Sequence, residues 1–264
     1  MVHIVGAGPG APDLITVRGK ELISQADTII YAGSLVNPAL LEYRKEGCRV
    51  LNSAYMTLEQ VIEAVRENEA EGKMTVRLHT GDPCIYGAIR EQMDALDRLG
   101  ISYEVCPGVS SFCGAAAALN MEYTLPEISQ SVVITRMAGR TPVPERESVA
   151  SFAAHGATMV LFLSSGLLTE LAEELMRGGY GADTPAAIVY RATWEDEKKV
   201  LCTVGTLAER AAGEKITKTA LIIVGNAVSQ SGYAFSKLYD PGFSTEYRQG
   251  SDSVGAEGQK EDEV

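Results

Sequence analysis

Short apolar runs alternate with amphipathic stretches along nearly the whole chain, and this alternation limits the fold more than any single motif. Runs of strand length lie at Val2–Val5, Thr28–Tyr31, Arg49–Asn52, Thr75–Leu78 and Tyr103–Cys106. Helical periodicity fills the gaps at Thr16–Gln25, Thr57–Glu71, Pro83–Leu99 and Val109–Leu119. Such repetition predicts an α/β fold with a mainly parallel sheet. A second series follows Thr124-Leu125-Pro126, with strands at Ser131–Thr135, Thr158–Leu163, Ala186–Tyr190, Val200–Thr203 and Ala220–Val224. Helices are expected at Val149–Ala154, Gly166–Arg177 and Thr206–Ala212. The interrupting proline places a boundary at residues 119–126. The expectation is two small α/β domains, 1–120 and 121–248, with mainly parallel or mixed sheets and a cleft between them where a ligand would sit. Residues 249–264 carry Asp252, Glu257, Glu261, Asp262 and Glu263 against Lys260 and are expected to form a disordered acidic tail. Phe235–Arg248 retains Phe235, Tyr239, Phe243 and Tyr247, which predicts an ordered extension.

Charge and composition narrow the function. The formal net charge is -12 over 264 residues, and no stripe of Lys and Arg interrupts the acidity. Phosphate backbones are bound by such stripes, so nucleic acid is not an expected partner. No apolar run approaches the ~18 residues of a membrane span. No basic, apolar and cleavage-site sequence opens the chain, so the expected location is cytoplasmic. The five cysteines include no CxxC pair, and the odd count disfavours a complete disulfide framework. Small buried thiols are the expectation. His3, His79 and His155 have no zinc-site spacing.

The loops after the strands hold the chemistry. Gly6, Gly8 and Ala11 fit the permissive GxGxxG/A pattern of dinucleotide sites. That reading also needs a helix starting inside the loop and an acid after the second strand. Pro9 and Pro12 stiffen the loop instead, and Thr28–Tyr31 leads into Ala32-Gly33-Ser34. A tight turn using glycine for unusual backbone angles explains the same residues. In Thr80-Gly81-Asp82-Pro83, Asp82 has the position of a helix N-cap with Pro83 at the first helical residue. Its carboxylate equally suits a ligand at a strand's carboxyl end. Ser110 and Ser111, after Cys106-Pro107-Gly108, are either caps or ligand contacts. Arg136, Arg140 and Arg146 gather in a Gly/Pro loop. Arg136 and Arg140 suit bidentate recognition of carboxylates, and a solvated loop is the alternative. His79 is a buried core histidine or a site residue. GxSxG, HExxH and P-loop patterns are absent, which fits group transfer from an activated donor.

The ordered set GAGPGAPDLIT, TGDPCIYG, CPGVSS, PAAIVYRAT and TKTALIIVG resembles the tetrapyrrole (corrin/porphyrin) methyltransferase family over residues 2–248. YAGSLV, ITRMAGRTPVPERE and SKLYDPGFSTEYR are similar to its cobalamin-pathway branch, which methylates C11 of precorrin-4 or its cobalt form. The resemblance implies S-adenosylmethionine as donor, leaving as S-adenosylhomocysteine, and a reduced tetrapyrrole as acceptor. It implies donor contacts at Pro9, Thr80, Gly81, Asp82, Ile85, Ser110, Ser111, Leu163, Ala192 and Ala220, and a homodimer. The family often has Met-Gly where this chain has Leu163-Ser164. Gly8 is then expected in the floor of the substrate cleft, Arg136 and Arg140 on the acceptor's carboxylates, and Asp82 or Tyr86 as the group that removes a proton.

Overall fold

The computed structural model describes residues 1–251. Most of the proposed acidic tail therefore lies outside the described residues.

The first half contains β1 (Val2–Gly6), α1 (Val17–Gln25), β2 (Thr28–Tyr31), β3 (Arg49–Asn52), α2 (Leu58–Ala70), β4 (Thr75–His79), α3 (Arg90–Leu99), β5 (Tyr103–Cys106) and α4 (Ser111–Leu119). Its strands form a wholly parallel sheet in the order β3-β2-β4-β1-β5. Parallel strands require crossovers, and helices supply them. Local sequence fixes the helix starts. Thr16 accepts from the Gly19 N–H at α1, and Thr57 and Gln60 make a reciprocal capping box at α2. One face of the sheet buries Val5, Ile29, Val76 and Leu78. The other buries Val2, Ile4 and Ile30 against Val61, Val65 and Leu96.

The second half contains β6 (Val132–Arg136), α5 (Val149–Ala153), β7 (Thr158–Phe162), α6 (Leu168–Arg177), β8 (Pro185–Tyr190), β9 (Lys198–Thr203), α7 (Leu207–Gly213) and β10 (Ala220–Val224). Its sheet is mixed, in the order β6-β7-β10-β8-β9, with only β6 and β7 parallel. Ile188, Met159 and Leu161 pack under α5, α6 and α7, while Val160, Val189 and Ile223 face the other way. That second face is covered partly by α4, whose Ala115 joins its core. A helix made of small residues thus lets the two halves approach closely.

One helix departs from expectation. The stretch Pro83–Leu99 is not a single helix, because α3 begins only at Arg90. Tyr86 and Ala88 take left-handed φ values of 56° and 49°, and Gly87 packs directly on the Pro83 carbonyl. Residues 83–89 are therefore a compact coil, and Asp82 does not cap an α-helix. The cysteines differ too: Cys106 is buried, but Cys84 and Cys113 are exposed. Both exposed thiols sit beside the loops of the cleft rather than in a core. The extension's aromatics also lie outside the core: Phe235 and Tyr247 are 90% and 91% exposed. Its fold comes from Arg248, which donates to the carbonyls of Leu238, Asp240 and Phe243.

Glycine is required where the strand ends meet. A Cβ on Gly6 would stand 2.6 Å from both the Gly108 Cα and the Gly81 carbonyl oxygen. Every opposing atom there is backbone, so nothing can rotate away. Gly6→Ala is expected to cost about 1–3 kcal/mol through overpacking, whereas Gly139→Ala, with open space around it, stays within about 0.5 kcal/mol of the parent. Urea denaturation of the two variants measures both.

Candidate functional site

The carboxyl ends of β1, β4 and β5 all open on the gap between the halves, as the strand ends of an open α/β sheet do. Their loops are stitched together. The Ala7 N–H donates to the His79 carbonyl (2.7 Å), and Gly8 and Gly81 exchange backbone bonds of 3.3 and 2.8 Å. Gly8 sits at φ 80° and a Cβ there would meet the Leu14 carbonyl, so Gly8 shapes the loop and does not itself line the cavity described below. Asp82 accepts from the Cys84 N–H on one carboxylate oxygen (2.8 Å) and from the Gly108 N–H on the other (2.9 Å). It ties the β4 loop to the β5 loop. Ser110 precedes α4, but its side chain makes no capping bond.

The second half contributes Phe162-Leu163 at the end of β7, Arg191-Ala192 after β8 and Thr219-Ala220 entering β10. Leu163, Arg191, Thr193 and Thr219 take left-handed φ values of 52°, 45°, 70° and 57°. Such angles are rare for non-glycine residues and rarer for β-branched ones. The Arg191 N–H donates to the Thr219 carbonyl at 3.0 Å, and the Glu197 carboxylate accepts from the Thr193 N–H at 2.7 Å. These bonds hold the strained turns in place.

Trp194 joins the halves. Its indole N–H donates to the Pro9 carbonyl (3.1 Å), and beside it the Ala11 N–H donates to the Thr193 hydroxyl (2.9 Å). A Cβ on Gly10 would lie 2.9 Å from the indole Cγ, with ring atoms closer still. The Arg191 guanidinium stacks 4.1 Å from the centre of the same indole and pairs with Asp196 at 2.7 Å.

Between these walls lies a cavity of about 220 Å³. Pro9, Thr80, Gly81, Asp82, Ile85, Ser110 and Ser111 line it from the first half, and Leu163, Ala192 and Ala220 line it from the second. Every donor-site position carried by the motifs therefore faces one space. Tyr86 stands in its wall. Arg136 and Arg140 lie outside: Arg136 donates to the carbonyls of Thr141 and Pro142, holding its own loop, and Arg140 is exposed. The motifs did not single out Trp194, Phe162 or Arg191. Trp194 is the chain's only tryptophan and follows directly on PAAIVYRAT, which is the one signal that marks it.

Two buried bases lie under the β4 loop. Arg77 donates to the Gln92 amide oxygen and the Ile30 carbonyl, both at 3.0 Å, and burial lowers its pKa to about 10. His79 is 4% exposed and its Nε2 has no hydrogen-bond partner. Burial, with the Arg77 charge, pushes its pKa down to about 3. The native protein thus keeps His79 neutral, while the unfolded chain protonates it below pH ~6.5. The unfolded state then binds more protons, so stability falls as pH drops from about 6.5 toward the folded value. His79→Phe is expected to make that fall shallower, as read from urea midpoints at pH 7 and pH 5.

A family model for tetrapyrrole (corrin/porphyrin) methylases matches residues 1–208. The chain belongs to that family. It is 53% identical over 247 residues to a cobalt-precorrin-4 C(11)-methyltransferase of Methanocaldococcus jannaschii, covering 94% of this chain and 95% of the relative. A precorrin-4 C(11)-methyltransferase of Pseudomonas aeruginosa is 46% identical, with coverages of 90% and 94%. Among solved structures, a cobalt precorrin-4 methyltransferase superposes with a TM-score of 0.84 at 48% identity, over 86% of this chain and 95% of that one. A uroporphyrin-III C-methyltransferase from Thermus thermophilus, solved with S-adenosyl homocysteine, superposes at 0.70 with 26% identity, over 86% and 92%. These matches share the paired α/β architecture described above.

The tie through Trp194 has two separable parts. Trp194→Phe removes the indole N–H bond and is expected to cost about 1 kcal/mol. Trp194→Ala also empties the space beside Gly10 and is expected to cost about 3 kcal/mol. Thermal unfolding followed by circular dichroism separates the two losses.

Proposed function

We propose that the protein transfers a methyl group from S-adenosylmethionine to C11 of precorrin-4 or cobalt-precorrin-4, as a step of cobalamin synthesis. One observation carries this reading. Loop residues from both halves line a single cavity, in a chain that matches a cobalt-precorrin-4 enzyme along nearly its whole length. A uroporphyrinogen-III C-methyltransferase from Bacillus subtilis is 33% identical, a weaker match than the C11 enzymes give.

The cavity suits the donor. Gly81, Ala192 and Ala220 leave room beside the backbone, Ile85, Val189 and Leu221 offer apolar walls, and the uncapped Ser110 keeps its hydroxyl available. The bound donor supplies a methyl on a positively charged sulfonium, already activated for attack by an electron-rich carbon. The residues of this chain then align and enclose. Alignment alone contributes up to ~7–11 kcal/mol of barrier lowering, so the chemistry does not depend on a covalent nucleophile. Asp82 fixes the geometry of two donor-side loops through its paired backbone contacts. Tyr86 has its phenol pKa raised by burial, which keeps the hydroxyl protonated near neutrality. Asp82 and Tyr86 both line the cavity and are the candidates for the group that takes up the departing proton.

Arg136 and Arg140 belong to the acceptor side, where the carboxylates of a tetrapyrrole would meet guanidinium groups. The full reading includes a homodimer in the cytoplasm with no nucleic-acid partner, the last supported by the net charge of -12.

Calorimetry with S-adenosylmethionine, followed by incubation with a generated precorrin-4 pool, tests the proposal. The expected result is donor binding and one added methyl, located at C11 by carbon-13 labelling. Donor binding without turnover of any tetrapyrrole would leave a non-catalytic tetrapyrrole-binding module as the better reading. In the same assay Arg136→Ala and Arg140→Ala are expected to raise KM for the tetrapyrrole roughly tenfold while donor affinity changes little.

A further inference from the structure

The two halves meet around the cavity in two physically different ways. In one, they are tied by the Trp194 and Thr193 hydrogen bonds and by an indole packed onto the Gly10 backbone. In the other, two aromatic rings meet. Tyr86 reaches from the coil after β4, and Phe162 is the last residue of β7. Their ring centroids are 5.4 Å apart at an interplanar angle of 49°, within the range of a favourable aromatic pair. Both rings line the cavity.

The pair is carried on strained backbone. Tyr86 itself and Ala88 are left-handed, and so is Leu163, immediately after Phe162. Strain of this kind persists only where the surroundings over-determine it, and it gathers at functional sites. Leu163 is 69% exposed, so burial of its own side chain does not account for the turn. The turn follows directly on Phe162, whose own position is set by its pairing with Arg136 across β6 and β7.

The pair also stands next to a cation outside the cavity. Arg136 pairs in register with Phe162 across β6 and β7, and it does not line the cavity. Resting on the methyl-transfer reading above, we propose that Tyr86 and Phe162 form an aromatic partition between donor cavity and acceptor side, acting as positioning residues that hold the donor in place during transfer. The role belongs to the rings. The Tyr86 hydroxyl is not required for it.

Trp194 reports the test directly, being the sole tryptophan and part of the cavity wall. Stopped-flow fluorescence gives the association and dissociation rates of S-adenosylhomocysteine for the parent, Tyr86→Ala, Phe162→Ala and the double variant. Phe162→Leu serves if Phe162→Ala does not fold, and Tyr86→Phe tests rescue by a ring without the hydroxyl. Each single truncation is expected to speed dissociation about tenfold, with the double variant no faster than the faster single one. Tyr86→Phe is expected to restore slow release, and the truncations to lower kcat more than they raise KM for the tetrapyrrole. Dissociation rates within twofold of the parent in both truncations would overturn the partition, as would effects that multiply in the double variant. A parent protein that binds no S-adenosylhomocysteine would overturn the donor reading and the partition together. Normal parent binding with unchanged variants overturns the partition alone.

Discussion

The site depends on backbone meeting backbone at Gly6, Gly81 and Gly108. These residues end or follow β1, β4 and β5, three adjacent strands of the parallel sheet. A side chain at Gly6 or Gly108 would drive the loops apart, because the atoms it meets are fixed in neighbouring main chain. Held this close, the loops can be stitched by the Gly8–Gly81 bridge and by the two bonds that Asp82 accepts. The opening glycine-rich stretch therefore resembles a nucleotide fingerprint for a physical reason. Both arrangements need backbone to come close to something. Here part of what comes close is another strand's loop, and at Gly10 it is an indole.

From that compact floor the remaining placements follow. Asp82 sets the relative position of the β4 and β5 loops, so Thr80, Gly81, Ile85, Ser110 and Ser111 come as one surface. The opposing surface is less regular, since it is made of turns at the end of a mixed sheet where β7 and β8 leave and β10 enters. Of its left-handed residues, Arg191, Thr193 and Thr219 are held by main-chain bonds and by the Glu197 carboxylate. One side of the cavity is therefore set by close packing and the other by hydrogen-bonded strain.

Much of this was legible in the residues. The strands follow from apolar runs bounded by turn-forming residues, and α1 and α2 announce themselves through Thr16 and Thr57. The loops that line the cavity were marked by the family resemblance, since the residues alone left caps, tight turns and ligand contacts all open. What stayed hidden depended on tertiary contact. Asp-Pro at residues 82–83 is a good helix start in isolation, but Asp82 meets the Gly108 N–H, twenty-six residues away. With Gly87 folded against Pro83, the helix waits until Arg90. Trp194 was equally unreadable, because its role comes from a partner in the first loop. The aromatics of the extension predicted an ordered segment, but its order comes from Arg248, which holds carbonyl groups that no sequence pattern displays.

The charge distribution completes the logic. An acidic protein is a poor general attractor for a polyacidic tetrapyrrole, so affinity for one has to come from local cations held at defined places. Arg136 is held in this way, because its bonds to Thr141 and Pro142 fix the loop that also carries Arg140. Arg77 contributes differently. Buried beneath the β4 loop with only neutral acceptors around it, it adds its charge to the burial that keeps His79 neutral. Arg191 is neutralised by Asp196 and stacked on Trp194, which turns a cation into a structural brace. Arg77 and Arg191 thus serve the fold, and neither Arg136 nor Arg140 lines the cavity, so a cationic donor held there does not share its space with these two cations.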